Sequence, residues 1–161
     1  MLVIGLGHQY REDDRAGLLA IARLRTLISE LDAEQRQIEL VAADGSAVSL
    51  MELWRGREQV FVIDAVMAPQ ATVGEIYVID ALHEEIPRGF GPFSSHAFGL
   101  AEAVALAREF KCLPDSLTII GIVGATFNVG ESMTAGMESA VDEVAQRICA
   151  ILRKMYQKNW E

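Results

Sequence analysis

The chain has 161 residues, 51% of them apolar, which is enough for one domain with a sizeable core. Its 14 Lys+Arg face 23 Asp+Glu, and the net charge of -9 argues against nucleic acid or an anionic membrane as its main partner. The high apolar content also excludes an intrinsically disordered chain.

The first half of the sequence predicts, in chain order, a strand at Leu2–Ile4, a helix at Ala16–Leu31, a strand at Ile38–Ala43, a short helix at Val48–Trp54 and a strand at Val60–Ile63. The second half predicts a strand at Glu75–Ile79, a loop over His83–Phe93, a helix capped by Ser94 or Ser95 that runs to Phe110, a strand at Ser116–Val123 and a helix at Thr134–Tyr156.

Strands that alternate with helices predict an open, mostly parallel five-stranded sheet with helices on both faces, which is a three-layer α/β sandwich. Only about ten residues separate Val60–Ile63 from Glu75–Ile79, too few for a helical crossover. The strand at Glu75–Ile79 is therefore expected to be antiparallel or at an edge of the sheet. No internal repeat or linker interrupts the pattern, so we expect a single domain over residues 1–161.

The apolar runs are far shorter than the roughly 20 residues that span a bilayer, so we expect no membrane insertion. The N-terminal apolar run is short and leads into Arg11–Asp14, unlike a secretory signal. Cys112 and Cys149 lie far apart and form no C-x-x-C motif, which favours free thiols in a cytoplasmic protein. The size of one domain allows a monomer, which is the oligomeric state we expect.

Acidic residues follow three of the predicted strands. Asp13 and Asp14 come after the first, Asp44 after the second and Asp64 after the third, while His96 opens a helix. The carboxyl ends of parallel strands meet at one edge of a sheet, where ligands bind. Several carboxylates at one edge repel each other unless a cation neutralises them. Asp14, Asp64 and His96 would supply two oxygen ligands and one nitrogen, a set that suits a divalent transition metal.

Each of these residues also has a simpler interpretation. A single Asp at a strand end is usually a turn or cap residue, and a lone His near a helix start usually caps the helix or packs in the core. The pair Gly5 and Gly7 lacks the third glycine of a dinucleotide fingerprint, since Tyr10 stands there, and the glycines are explained by a sharp turn. We therefore expect no organic cofactor. The sequence has no H-E-x-x-H or G-x-S-x-G motif, and neither cysteine has a neighbouring base.

Four blocks of the sequence resemble the hydrogenase maturation proteases. The first block of that family reads G-x-G-N, then an acidic pair, then a glycine at a helix start, and its later blocks are an Asp-Gly turn, a hydrophobic-Asp-Ala block and a Ser-x-His segment. The matching blocks stand in the same order here, at Val3–Gly17, Asp44-Gly45, Val62–Ala65 and Ser94–Leu100. Ile119–Val123 resembles the last core strand of the family, so the resemblance covers residues 2–150.

The resemblance implies a phosphorylase/hydrolase-like fold and a specific activity. Members of the family cleave a short C-terminal extension from the large-subunit precursor of a nickel-iron hydrogenase after nickel has been installed. The nickel is supplied by this substrate, and the protease recognises it through two carboxylates and a histidine. Carried over to this chain, the ligands are Asp14, Asp64 and His96. Asp44 falls at the other acidic turn of the family, which is implicated in substrate handling.

The sequence departs from the family at three places, and two other functions stay open. His8 replaces the Asn after G-x-G, where it would add a ligand or change a substrate contact. Ser46–Ser49 replaces the usual G-T-x-G, and Gly121–Gly124 stands where many members have G-I-E-P. The first alternative is a non-catalytic assembly factor that binds a metallated hydrogenase precursor. The second is a small-molecule hydrolase in which the acidic residues are only caps and turns.

Overall fold

The computed structural model describes residues 1–29, 38–87 and 95–158, except for the side chains of residues 95–98 and 156–158. A short 3₁₀ turn, Glu12–Arg15, precedes the first helix. The strands and helices are, in chain order, β1 (Leu2–Leu6), α1 (Ala16–Ser29), β2 (Glu39–Ala43), α2 (Ala47–Trp54), β3 (Gln59–Val66), β4 (Ile76–Asp80), α3 (Ser95–Glu109), β5 (Ser116–Val123) and α4 (Met137–Lys158).

The described strands form one five-stranded sheet in the order β2-β1-β3-β5-β4. β2, β1, β3 and β5 run parallel to one another, and β4 is antiparallel to β5 at an edge. The predicted mostly parallel sheet and the antiparallel edge strand are both confirmed. The short connection between β3 and β4 leaves no room for a crossover helix, and this accounts for the direction of β4.

Helices cover both faces of the sheet, as the three-layer prediction requires. The side chains of β3 alternate, so that Val60, Val62 and Val66 pack with α2 and α3. Phe61 and Ile63, which point the other way, pack with α1 and α4. Each such fully buried side chain contributes about 1.5–3 kcal/mol through its removal from water. Within the described ranges, no helix is both long and apolar enough to cross a bilayer.

Helix α1 lies directly against β1 because both carry a glycine at the contact. A Cβ at Gly17 would lie 2.3 Å from the Leu6 carbonyl oxygen, and a Cβ at Gly5 would lie 2.1 Å from the Gly17 carbonyl oxygen. Gly5 is thus a packing residue inside β1, which corrects its interpretation as a turn residue. Gly7 does turn the chain, with a φ of 145°.

Several element boundaries differ from the sequence prediction, most of them by one or two residues. β3 continues to Val66, so Asp64 lies inside the strand instead of after it, and full-length pairing with β5 satisfies the backbone there. β1 likewise continues to Leu6. α4 begins at Met137 instead of Thr134, because Gly136 has a φ of 95° and ends the preceding loop. The predicted helix end at Leu31 and the loop residues 88–93 lie outside the described residues.

Candidate functional site

The strand register brings the predicted acidic residues to one edge of the sheet. Leu6 pairs with Ala43, and Gly5 pairs with Ile63, so Asp64 lies beside the end of β1. Asp44 follows Ala43 on the other side of β1, roughly two strand spacings or 10 Å from Asp64. The 3₁₀ turn that carries Asp14 contacts β3.

Asp64 is completely buried within β3. Because side chains alternate along a strand, it belongs to the same face as Val62 and Val66, which α2 and α3 cover. His96 lies in the first turn of α3, and its side chain is outside the described part of the chain. The backbone therefore brings His96 and Asp64 to one face of the sheet, while the position of the imidazole stays a prediction.

Helix α3 starts against the turn that carries Asp44. A Cβ at Gly99, one helical turn after His96, would lie 2.4 Å from the Gly45 carbonyl oxygen. Such a close approach is possible only for glycine, because real Cβ atoms essentially never come this near to a backbone oxygen. The start of α3 is thus held at the same sheet edge as Asp44.

Asp14 is buried, with 1% of its surface exposed. Its Oδ2 accepts a hydrogen bond from the backbone nitrogen of His8 over 3.1 Å. Nδ1 of the His8 ring lies 2.9 Å from the same oxygen, and the His8 side chain is 46% exposed. The buried Asp14 carboxylate thus contacts the half-exposed His8 imidazole at this edge of the sheet.

Asp13 has a different role from Asp14, although the sequence predicts both residues at the same edge of the sheet. Its carboxylate accepts hydrogen bonds from the backbone nitrogens of Ala125, Thr126 and Thr134 over 2.7–3.1 Å, and one from the Thr134 hydroxyl over 2.7 Å. Burial raises the pKa of Asp13, but these hydrogen bonds, led by those of Thr134, outweigh burial and hold its pKa below the usual value. The structure thus assigns Asp13 to loop anchoring.

Further contacts tie the same two loops together. The Arg11 guanidinium donates from Nε and Nη2 to the Phe127 carbonyl oxygen over 3.1 and 2.9 Å. Glu12 Oε2 accepts from the Asn128 backbone nitrogen over 3.1 Å, and Glu12 itself has a φ of 24°, which is strained for a residue with a side chain. These contacts hold the loop before Asp14 in one conformation. These contacts could not be predicted from the sequence, in which only the Thr and Gly content of residues 124–136 indicates a structured loop.

Asp44 is exposed and forms part of the turn between β2 and α2. Its Oδ1 accepts a hydrogen bond from the Ser46 backbone nitrogen over 3.1 Å. Ser46 in turn caps α2, since its hydroxyl oxygen accepts from the Ser49 backbone nitrogen over 3.3 Å. The turn interpretation of Asp44 is correct, and its part in substrate handling stays a prediction.

A row of three residues crosses the sheet on the face of Asp64. Asp64 pairs with Gly121 of β5, and Gly121 pairs with Tyr77 of β4. Gly121 has no side chain, so no side chain stands between those of Asp64 and Tyr77 in this row. A cavity of about 430 Å³, whose lining includes Pro69, Ala71 and Tyr77, lies at the β4 end of the row.

The described side chains include no group of three His, Cys, Asp or Glu residues that would hold a metal ion. The His96 side chain is outside that set, so the predicted group of Asp14, Asp64 and His96 is untested and stays a prediction. Both cysteines are free thiols, as predicted.

Comparison with known proteins decides the family. The model of the hydrogenase maturation protease family matches residues 24–152. The chain belongs to the hydrogenase maturation protease family. The resemblance noted in the sequence is confirmed, and the chain is a peptidase with a role in hydrogenase maturation. The match includes Asp64 and His96 but begins after Asp14.

Solved structures of family members share this fold. The hydrogenase maturating endopeptidase HybD from E. coli is 21% identical, with a TM-score of 0.76 over 96% of this chain and 92% of that chain. An endopeptidase from Escherichia coli is 22% identical, with a TM-score of 0.77 over the same shares. The NiFe hydrogenase maturation protease HybD from Thermococcus kodakarensis is 20% identical, with a TM-score of 0.67 over 94% of this chain and 97% of that chain. No curated protein matches the sequence.

Proposed function

We propose that this maturation protease removes a C-terminal extension from the nickel-loaded precursor of a nickel-iron hydrogenase large subunit. One observation carries the proposal within the family: Asp14 and Asp64 are both buried at the same sheet edge. Burying carboxylates near each other is costly in free energy unless an opposite charge offsets it. A divalent metal brought by the precursor would supply that charge.

The three predicted ligands fit such a metal chemically. Asp14 and Asp64 would each bind nickel through oxygen and His96 through nitrogen, a mixed set that suits divalent transition metals. His96 stands in the first turn of α3. The neutral imidazole is the form of a histidine that binds metal. The nickel is part of the substrate, and the protease has no organic cofactor of its own.

Holding the nickel positions the precursor for hydrolysis. The reaction adds one water across the scissile peptide bond, with the hydroxyl bonding to the carbonyl carbon and a proton passing to the leaving nitrogen. Fixing the metal at the sheet edge holds the scissile bond in one place and lowers the entropic part of the barrier. In this arrangement the precursor chain passes over Gly121 toward the cavity beside Tyr77, and Asp44 contacts the chain at the other end of the edge.

We further infer that the protease acts as a monomer in the cytoplasm. The free thiols of Cys112 and Cys149 suit a reducing compartment. The precursor is then the partner that completes the site, because it brings the metal.

A cleavage assay tests the proposal. The wild-type protease and the Asp64→Asn, His96→Ala and Asp80→Asn variants are each incubated with nickel-loaded and nickel-free precursor, and the products are measured by intact mass. Asp80 is the matched control, because its side chain is 52% exposed and it lies at the end of the edge strand β4. We expect a shortened product only from the loaded precursor, and only with the wild type and Asp80→Asn.

Two results would contradict the proposal. Equal cleavage of loaded and nickel-free precursor would show that the protease does not recognise the nickel. A stable complex without any change in mass would instead support the non-catalytic assembly factor.

A further inference from the structure

We propose that His8 is a positioning residue, which orients the Asp14 carboxylate toward the metal of the substrate. This inference rests on the proposed function and adds to it a residue at which this chain departs from its family. The family pattern has Asn at this place, and this chain has His8 there.

The geometry around Asp14 carries the inference. Two groups of His8 meet the same carboxylate oxygen: the backbone nitrogen at 3.1 Å and Nδ1 of the ring at 2.9 Å from Oδ2. An ionised carboxylate only accepts hydrogen bonds, so Nδ1 carries the hydrogen and donates it. Two donors on one oxygen fix the rotation of the carboxylate group, and this rotation sets the direction from which the carboxylate would bind a metal.

The backbone keeps His8 at this place independently of its ring. Gly7, just before His8, has a φ of 145°, and a Cβ there would lie 2.1 Å from the Asp14 carbonyl oxygen. The chain therefore passes close to Asp14 before the ring is added. The Arg11 backbone nitrogen donates to the His8 carbonyl oxygen over 3.2 Å, which closes the turn.

A partner that holds a metal ligand usually matters nearly as much as the ligand. Loss of such a partner lowers metal affinity or activity by about 10- to 100-fold. The His8 side chain is 46% exposed while that of Asp14 is 2% exposed, so a substitution at His8 removes the orienting bond without opening the core. His8 is therefore separable from the stability of the fold.

Three substitutions of His8 distinguish a role of Nδ1 from a role of Nε2. The amide nitrogen of Asn stands close to the position of Nδ1, and that of Gln stands close to the position of Nε2. We expect His8→Ala to lower kcat/KM for the loaded precursor about 10- to 100-fold. His8→Asn restores activity close to the wild type, and His8→Gln stays low with His8→Ala.

Two kinetic outcomes would overturn the inference. Unchanged activity of His8→Ala would show that the bond to Asp14 does not matter. Activity in His8→Gln but not in His8→Asn would show that Nε2 acts instead, as a direct contact to the substrate. If the wild type does not cleave any precursor, the proposed function fails, and the inference is decided by the second measurement alone.

That second measurement needs no substrate. Nitrogen-15 NMR of the His8 ring reports which ring nitrogen carries the hydrogen. We expect hydrogen on Nδ1 in the wild type and loss of this preference in Asp14→Ala. An Nδ1 without hydrogen in the wild type, or the same spectrum in Asp14→Ala, would overturn the role of His8.

Discussion

Gly99 of α3 and the carbonyl oxygen of Gly45 are in such close contact that a Cβ at Gly99 would lie 2.4 Å from that oxygen. This contact joins the helix that begins with Ser95 and His96 to the turn that carries Asp44. Two segments far apart in sequence thereby meet at one end of the sheet. This contact therefore sets the position of the start of α3 relative to the turn of Asp44.

Gly99→Ala is therefore expected to impair function by displacing the start of α3. Crowding a packed contact costs about 1–3 kcal/mol of unfolding free energy, and we expect kcat/KM for the loaded precursor to fall with it. Ala105→Gly is the control, because Ala105 is exposed in the same helix and its replacement costs about 1 kcal/mol by propensity alone. Urea unfolding and cleavage rates are measured for both. Full activity in Gly99→Ala would contradict the dependence on this contact.

Gly17→Ala tests the packing of α1 on β1. In most helices a Gly to Ala change stabilises by up to about 1 kcal/mol. Here the new Cβ would lie 2.3 Å from the Leu6 carbonyl oxygen and 2.5 Å from the Ile63 carbonyl oxygen, so we expect destabilisation by about 1–3 kcal/mol or more. Urea unfolding measures whether the free energy of unfolding falls or rises in Gly17→Ala. A rise would show that α1 is not tightly packed on β1 at Gly17.

Asp13→Asn is expected to weaken the loop anchor in a pH-dependent way. Its carboxylate stabilises the fold as an anion, and hydrogen bonds to a charged group are worth about 1.5–3 kcal/mol. Because the folded-state pKa of Asp13 is lowered, this stabilisation is complete above the usual pKa of 3.8 and is lost as the pH falls through the lower folded value. The difference in unfolding free energy between wild type and Asp13→Asn should thus be largest near neutral pH and shrink in acid.

The control for Asp13 is Asp142→Asn. Asp142 pairs with Arg23 over 2.9 Å, but its side chain is 47% exposed, so we expect a change of about 0–1 kcal/mol. Chemical unfolding of both variants at neutral and acidic pH makes the comparison. A difference for Asp13→Asn that grows in acid would show that Asp13 does not stabilise the fold as an anion.

Gly121→Val is expected to block the substrate beside Asp64. Gly121 is the strand partner of both Asp64 and Tyr77, so a side chain there enters the row between them. We expect Gly121→Ala to reduce cleavage of the loaded precursor and Gly121→Val to reduce it further. Circular dichroism and urea unfolding report folding separately. Normal cleavage by a folded Gly121→Val protein would show that the precursor takes another path.

The sheet could be predicted from the sequence because its signal is local. Apolar runs such as Val60–Ile63 are bounded by charges and turns, and the connection to Glu75–Ile79 was short enough to predict the antiparallel edge strand. Asp64 was expected after its strand because charge usually ends a buried run. It lies inside β3 because strand β5 continues to pair with it, which the local pattern does not report.

The roles of the acidic residues were harder to predict because they depend on partners distant in sequence. Asp13 and Asp14 are neighbours, yet Asp13 binds backbone and side-chain groups of Thr134 while Asp14 contacts His8. Nothing at positions 13 and 14 distinguishes these partners. Only the folded loop around residue 125 shows that Asp13 anchors a loop, whereas Asp14 is a candidate metal ligand.

The proposed site requires that the buried carboxylates of Asp14 and Asp64 touch the nickel of the precursor. The nickel K-edge absorption spectrum of the loaded precursor, alone and mixed with protease, measures this directly. With the wild type we expect additional oxygen and nitrogen neighbours at the nickel, and with the double variant Asp14→Asn, Asp64→Asn we expect the spectrum of the precursor alone. If the wild-type protease cleaves the precursor while the nickel spectrum stays unchanged throughout, the carboxylates do not bind the nickel.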